Sequence, residues 1–473
     1  MNLVWQRFTL SYLPLKEYLD TSYLHRLVGV FRSWRQTSIL MQWGDTIAAV
    51  LLSLVYALAP FVPNELLALC LVACAGFWLL LTLSDEPGLA KVTSVTPIHL
   101  LLLLYWAVMA VAAAASPVKK TALVPLLKDF GTFSLYLLLF PLCARVLRSP
   151  RLRAWLITLY LHISLIVSVY GVRQWFDHVP ALATWVDPES PLAKVTRVYS
   201  YLGNPNLLAG YLLPAVILSL MAIFAWKSKV KKALAFTMLL VNGASLILTF
   251  SRGGWIGLII SVLTLLGLFY YWWRPNMPPF WRNWSPLILC GSLAIALLLV
   301  IVVSETARER ILSIFADRQD SSNNVRRNVW TAVRKMIGDY PLLGIGPGHS
   351  AFNKIYPLYA SSRFTALSAY SIYLEVAVET GLIGLASFLW LLIVIFNTAL
   401  TQLQRLRQLK NGEGFWLMGA IASLTGMLAH GLFETVWYRP EVNTIWWLMV
   451  GLIASYYPST LSTQNSSIKI KTE

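Results

Sequence analysis

Charge is scarce in this chain. Of 473 residues, 12% are Asp, Glu, Lys or Arg, about half the share of an ordinary soluble domain, and no single core could hide so long a deficit. A disordered chain and a soluble multi-domain enzyme are thereby excluded. Acidic residues are scarcest: 21 against 38 Lys and Arg leave a formal net charge of +17. Cysteine is also sparse. Cys70, Cys74, Cys143 and Cys290 sit in apolar runs without CxxC spacing or clustered histidine, so they read as small packing residues, and no disulfide framework, metal or cofactor is expected. What is abundant is apolar: 57% hydrophobic residues and 20 Trp, with a mean hydropathy of +0.63. This is the composition of a membrane protein.

A helix needs about 20 mainly apolar residues to cross the hydrocarbon core. Such runs occur at about 46–62, 66–84, 97–115, 124–144, 154–174, 206–226, 233–250, 255–273, 286–304, 379–400, 415–435 and 441–458. The expected fold is an all-α polytopic membrane protein of about 12 transmembrane helices. Lys and Arg in short loops resist translocation. With the N-terminus inside, 21 of the 38 basic residues fall on that side and seven in the opposite short loops; Lys128 lies within a run, and nine lie in one long loop. Both termini are therefore expected to be cytoplasmic. The basic excess reads as topology and attraction to anionic lipid, not as a nucleic-acid surface. The organisation is a basic segment at 1–45, spans at 46–304, a large extracytoplasmic loop at 305–378 between spans nine and ten, spans at 379–458 and a tail at 459–473. Loops beyond about 12 to 15 residues are uncommon unless functional or disordered. This one carries Trp330, Phe352, Tyr356, Tyr359 and Tyr373, and is expected to fold back onto the membrane face, with 175–201 as a smaller companion.

Several residues there have chemical potential. Thr249-Phe250-Ser251-Arg252-Gly253-Gly254-Trp255 joins two runs; the glycines suit a tight reversal with positive φ. Arg252 offers a planar charged fork suited to phosphate or carboxylate, or else snorkels to lipid headgroups. Arg326 and Arg327 precede Trp330, and the turn Pro341 to Gly348, with Gly346 and Gly348, either presents amides to an anion or is a plain turn. Gly203-Asn204-Pro205-Asn206 has the form of a helix start, with Asn as N-cap and Pro at the first helical position. His430 and Glu434 stand four apart, which on one helix face makes either a functional pair or a structural tie. Lys128 and Asp129 carry the same two readings. Together these place a cationic site for an anionic ligand at the outer face. A lipid pyrophosphate, a phosphorylated glycan and a small inorganic anion are the candidates.

The order of Ser251-Arg252-Gly253-Gly254, Arg326 with Trp330, Pro341-Leu342-Leu343-Gly344-Ile345-Gly346-Pro347-Gly348, and Leu374-Glu375 followed by Glu379-Thr380-Gly381-Leu382-Ile383-Gly384 resembles the O-antigen ligase and polymerase superfamily. The resemblance covers roughly 200–400. The whole chain is most similar to the cyanobacterial IctB branch, which is associated with inorganic-carbon (bicarbonate) transport. The resemblance implies metal-independent transfer of a glycan from an undecaprenyl-pyrophosphate carrier, with Arg252 and Arg326 on the pyrophosphate and a loop histidine assisting the acceptor. That histidine position is Tyr370 here. With an ordinary pKa near 10 against about 6.5, tyrosine is a poor base at neutral pH, though it can orient a ligand. His349 could stand in if folded close. Tyr370, Glu375 and Glu379 are thus the catalytic candidates, Arg252, Arg326, Arg327, Gly346 and Gly348 the anion-binding ones, and His430 with Glu434 the intramembrane pair. Three readings follow: an IctB-like protein of bicarbonate accumulation or transport as the main one, a lipid-linked glycan ligase or polymerase as the alternative, and a scaffold of other membrane complexes as the third.

Overall fold

The computed structural model describes residues 3–11, 30–85, 95–180, 196–303, 305, 308–309, 321–360 and 366–457. Beyond short N-terminal helical turns, the chain forms α1 (Gly44–Leu58), α2 (Asn64–Ser84), α3 (Pro97–Ala115), α4 (Lys119–Val146), α5 (Pro150–Phe176), α6 (Pro205–Ala225), α7 (Lys229–Leu248), α8 (Arg252–Trp273) and α9 (Pro279–Val303). Two helices outside the apolar runs, α10 (Ser321–Asp339) and α11 (His349–Ile355), precede α12 (Ile372–Gln408), α13 (Gly414–His430) and α14 (Pro440–Ser455). No strand occurs among the described residues. Helices lie over all twelve apolar runs, and among the described residues eight of them, α2 to α8 and α12, are long and apolar enough to cross a membrane. With 15, 17 and 16 residues, α1, α13 and α14 fall short of the usual crossing length. The chain is an all-helical, multi-pass membrane protein.

Local sequence sets where the helices start. Proline occupies the first turn of α3, α5, α6 and α14, where its missing N–H is no loss. At α6 the Asn204 side chain accepts from the N–H groups of Asn206 (2.8 Å) and Leu207 (3.4 Å), the N-cap its sequence announces. This helix is the hub, with 83% of its apolar window buried against 22% for α2, and it packs on α7, α8 and α13. Lipid tails are as apolar as leucine, so helices in a bilayer associate through close packing and interhelical hydrogen bonds. Both are present. A Cβ added at Gly257 would lie 2.7 Å from the Gly426 carbonyl, so α8 and α13 touch backbone to backbone. Ser168 donates to Asn242 (2.7 Å), and Asn242 donates to Ser219 (3.3 Å), tying α5, α7 and α6.

Polar contacts at the helix ends fall into two groups. At one, Arg145 bonds Asp85 (2.6 Å) and Asp45 (2.9 Å), Arg35 bonds Asp85 (2.5 Å), and Arg153 bonds Glu413 (2.8 Å). At the other lie the starts of α6, α8, α12 and α14 together with α10 and α11. The expected acid and base of the fourth run belong to this second end. Lys128 is exposed, and the Asp129 carboxylate accepts the Ser350 N–H at 2.8 Å, which satisfies an open amide of α11. Asp129 therefore has a structural employment. The long helix α12 is interrupted at Gly381 (φ 68°, ψ −172°), which divides its first turns from its main span.

Candidate functional site

The α7–α8 reversal differs from its sequence reading in an instructive way. Gly253 and Gly254 are helical, and the positive φ falls on Phe250 (48°). Ser251 caps α8 by accepting the Gly254 N–H at 3.2 Å. The glycines are there for space: a Cβ on Gly253 would stand 2.7 Å from His430 Cδ2, and one on Gly254 would stand 2.6 Å from the Ala209 Cβ. A close three-helix contact among α6, α8 and α13 thus brings Arg252, half-buried at the first residue of α8, to the end of the bundle.

Around it a polar chain forms. Arg326, on α10, forms an ion pair with Glu434, whose Oε1 also accepts from Asn206 Nδ2 at 2.7 Å. Asn206 Oδ1 in turn accepts from Arg197 Nη2 at 3.1 Å, and Arg197 Nε donates to the Thr249 carbonyl at 2.9 Å, three residues before Arg252. Burial brings the Arg197 guanidinium down to about 10; Glu434 works against that shift, and Arg252 and Arg326 reinforce it. It stays cationic at neutral pH. Three arginines from three separate segments therefore share one neighbourhood with the Glu434 carboxylate.

One helical turn beyond Arg326, Trp330 donates its indole N–H to the Ala369 carbonyl at 3.0 Å. The same α10 face thereby holds both the ion pair and the loop that carries Tyr370. That loop is tightly specified. Tyr370 has φ 50°, Glu375 accepts the Ala369 N–H at 2.5 Å, and Ile372 N–H donates to the Gly431 carbonyl at 2.8 Å. Tyr370 is half-buried. Burial raises its phenol above the ordinary value, the Leu367 backbone lowers it, and Glu434 and Arg326 act in opposite directions, so the ring senses that pair. At neutral pH it is a hydrogen-bonding group, not a base.

The glycine turn has a different task. Gly344 (φ 68°), Gly346 (101°) and Gly348 (97°) take conformations that favour glycine, and the turn is laced onto the α12 break. Gly346 N–H donates to the Glu379 carbonyl (3.0 Å), Gly348 N–H to Glu379 Oε1 (2.7 Å), and Tyr438 O–H to Glu379 Oε2 (2.9 Å). Both amides expected to face an anion are therefore committed to Glu379, itself buried. Glu375 is similarly committed to Ala369. His349 is exposed at the start of α11, and Arg327 is exposed beside the half-buried Arg326.

The expectation that His430 and Glu434 share a helix face is corrected. α13 ends at His430 with Gly431 as its C-cap, so Glu434 lies beyond the helix and turns to Arg326 and Asn206. The His430 ring packs between Gly210 and Gly253. Arg197 is a site residue that sequence reasoning passed over, while Asn206 was placed at the outer face only as part of its turn, without its role in the polar chain. The only signal for Arg197 was a basic residue in the smaller outer segment.

A family model described as O-Antigen ligase matches residues 233–389, about a third of the chain. The matched stretch holds Arg252, Arg326, the glycine turn, Tyr370, Glu375 and Glu379; Arg197 and Glu434 fall outside it. No curated protein matches the chain. Over residues 233–389 the chain is similar to the O-antigen ligases, and this match supports the O-antigen ligase superfamily that the motifs resemble.

Proposed function

We infer that this is a glycan-handling membrane protein of the ligase or polymerase type, acting on a saccharide linked to a lipid pyrophosphate at the outer face of a bacterial inner membrane, with both termini cytoplasmic. The observation that carries the reading is the gathering of Arg326, Arg197 and the Arg252 turn around Glu434, beside Tyr370, within a chain whose matched stretch is O-antigen ligase-like. The partners are then membrane lipid, the lipid-linked donor and a hydroxylated acceptor. In the transfer, the acceptor oxygen bonds the anomeric carbon as the bond from that carbon to the pyrophosphate oxygen breaks, and the hydroxyl proton passes to water. Charge grows on the departing pyrophosphate. Arginine forks already fixed in place stabilise that charge without reorganisation, which is where such sites gain most of their rate. Tyr370, neutral at physiological pH, orients the acceptor or the donor by hydrogen bonding. Glu375 and Glu379 serve by holding the Tyr370 loop and the glycine turn.

The IctB-type bicarbonate role, first among the expectations from sequence, becomes the second reading, since the family match concerns ligases and polymerases. The test is a deletion strain. Loss or shortening of a surface glycan with accumulation of its lipid-linked precursor is expected. Unchanged glycans and unchanged carrier-lipid pools, with impaired bicarbonate uptake, would refute the glycan reading.

A further inference from the structure

The outer helices carry a group of side chains that the arginine cluster does not use. α10 bears Arg326 in its first half and ends at Asp339, about 20 Å further along the axis at 1.5 Å per residue. There Tyr359 donates its hydroxyl to Asp339 Oδ2 at 2.5 Å, and Tyr340 follows Asp339 directly. The bond to Asp339, with burial and the neighbouring Tyr340 adding to it, pushes the Tyr359 phenol up to about 12. It therefore stays protonated and tied to the carboxylate, whose Oδ1 takes no donor among the described residues. Asp339 is exposed and both tyrosines are half-buried. The support beneath Tyr359 is rigid. Tyr356, which is buried, accepts the N–H groups of Tyr359 and Ala360 (both 3.0 Å) and stacks on Phe352 with centroids 5.2 Å apart. Tyr356 also lies close enough to Tyr370 to raise its phenol. One short turn thus joins Tyr370, beside the arginine cluster, to Tyr359 at the far end of α10.

A tyrosine ring has an apolar face and a polar tip. A pyranose is built the same way, with C–H groups on its faces and hydroxyls around its edge. A carboxylate accepts hydroxyl donors on both oxygens, in bonds stronger than neutral ones, and it repels acidic sugars. We propose that Tyr359, Tyr340 and Asp339 form a subsite for a neutral pyranose of the glycan, several sugar units away from the pyrophosphate end. The assignment rests on the glycan-transfer reading. The Tyr359–Asp339 bond fixes ring and carboxylate before the sugar arrives, which lowers the ordering cost of binding. The donor glycan and the acceptor glycan offer the same chemistry, and the experiment separates them.

The experiment uses the full-length protein in neutral-lipid nanodiscs and two saccharides released by mild acid from the deletion strain. One is the glycan of the accumulated lipid-linked precursor, and the other is the unextended acceptor saccharide left at the cell surface. Saturation-transfer-difference NMR with irradiation of the aromatic protons is expected to show at least one of them bound, through the C–H protons of a neutral pyranose. Tyr359→Ala and Asp339→Asn should each weaken that binding by about tenfold. Tyr359→Phe keeps the ring while losing the tie to Asp339, and should stay within about threefold of wild type. The subsite is overturned, and the glycan reading left standing, if wild type binds neither saccharide or if Tyr359→Ala and Asp339→Asn leave binding unchanged. Equal losses in Tyr359→Ala and Tyr359→Phe also overturn it, because the tie and not the ring would then carry the effect. If no precursor accumulates in the deletion strain, the glycan reading has failed and the subsite with it.

Discussion

Gly381 is the point at which the structure makes its firmest energetic demand. Its φ of 68° and ψ of −172° fall in a region that is essentially closed to other residues, and an added Cβ would lie 2.2 Å from the carbonyl carbon and oxygen of Leu342. Those are backbone atoms of the turn that docks on the break through Leu382 N–H to the Pro341 carbonyl (2.8 Å), so no flexible side chain can yield. For Gly381→Ala, strained dihedrals cost about 1–3 kcal/mol and overpacking a further 1–3 kcal/mol or so. The stiffer unfolded chain returns about 0.4–1 kcal/mol. The net is a loss of about 1–5.5 kcal/mol. Thermal unfolding of the detergent-purified protein, followed by the fluorescence of its 20 Trp, should show a Tm lowered by about 1–5 °C. Gly267 supplies the control, because it is helical and a Cβ there meets nothing within 4 Å. Gly267→Ala should leave Tm unchanged or raise it, since alanine is the better helix former by about 1 kcal/mol. Equal shifts in the two variants, or an unmoved Gly381→Ala, would refute the assignment of Gly381 as a backbone-imposed break in α12.

Other expectations follow from the same geometry. Arg326→Gln should reduce glycan transfer by about 10²-fold or more, whereas exposed Arg327→Gln should stay within about twofold; comparable losses in an initial-rate assay would mean that the ion pair with Glu434 does not mark the site. Tyr370 has its pKa raised by burial, so the phenol keeps its proton below its ordinary value near 10, and no limb between about pH 6 and 9 should belong to it; a limb in the pH–rate profile that vanishes in Tyr370→Phe would contradict its neutral role. At the opposite end of the bundle, Asp85→Asn breaks the pairing with Arg35 and Arg145 and should cost about 3–5 kcal/mol of stability.

The helices were legible because membrane spans are written as uninterrupted apolar runs, and the start of α6 because Asn204 and Pro205 are local signals that tertiary structure had no reason to override. Pairing across long separations was not legible. Arg197 reaches Glu434 through Asn206 over more than two hundred residues, and no spacing rule announces such a contact. Gly253 and Gly254 looked like residues chosen for unusual dihedrals and proved to be helical residues chosen for lack of a side chain. The His430–Glu434 spacing suggested a shared face because the apolar run continues past His430, while the backbone leaves the helix at Gly431. The glycine turn was visible as a turn, but its amides are spent on Glu379, which only the folded chain brings opposite.

The central claim is that the arginine cluster holds the pyrophosphate of a lipid-linked glycan. Equilibrium binding of a labelled undecaprenyl-pyrophosphate-linked saccharide to the purified protein in neutral-lipid nanodiscs tests it most directly, comparing wild type with the Arg252→Gln/Arg326→Gln double variant. Saturable binding that weakens by about 10²-fold or more in the folded double variant is the expected result. Undiminished binding in that variant, or none in wild type, would contradict it.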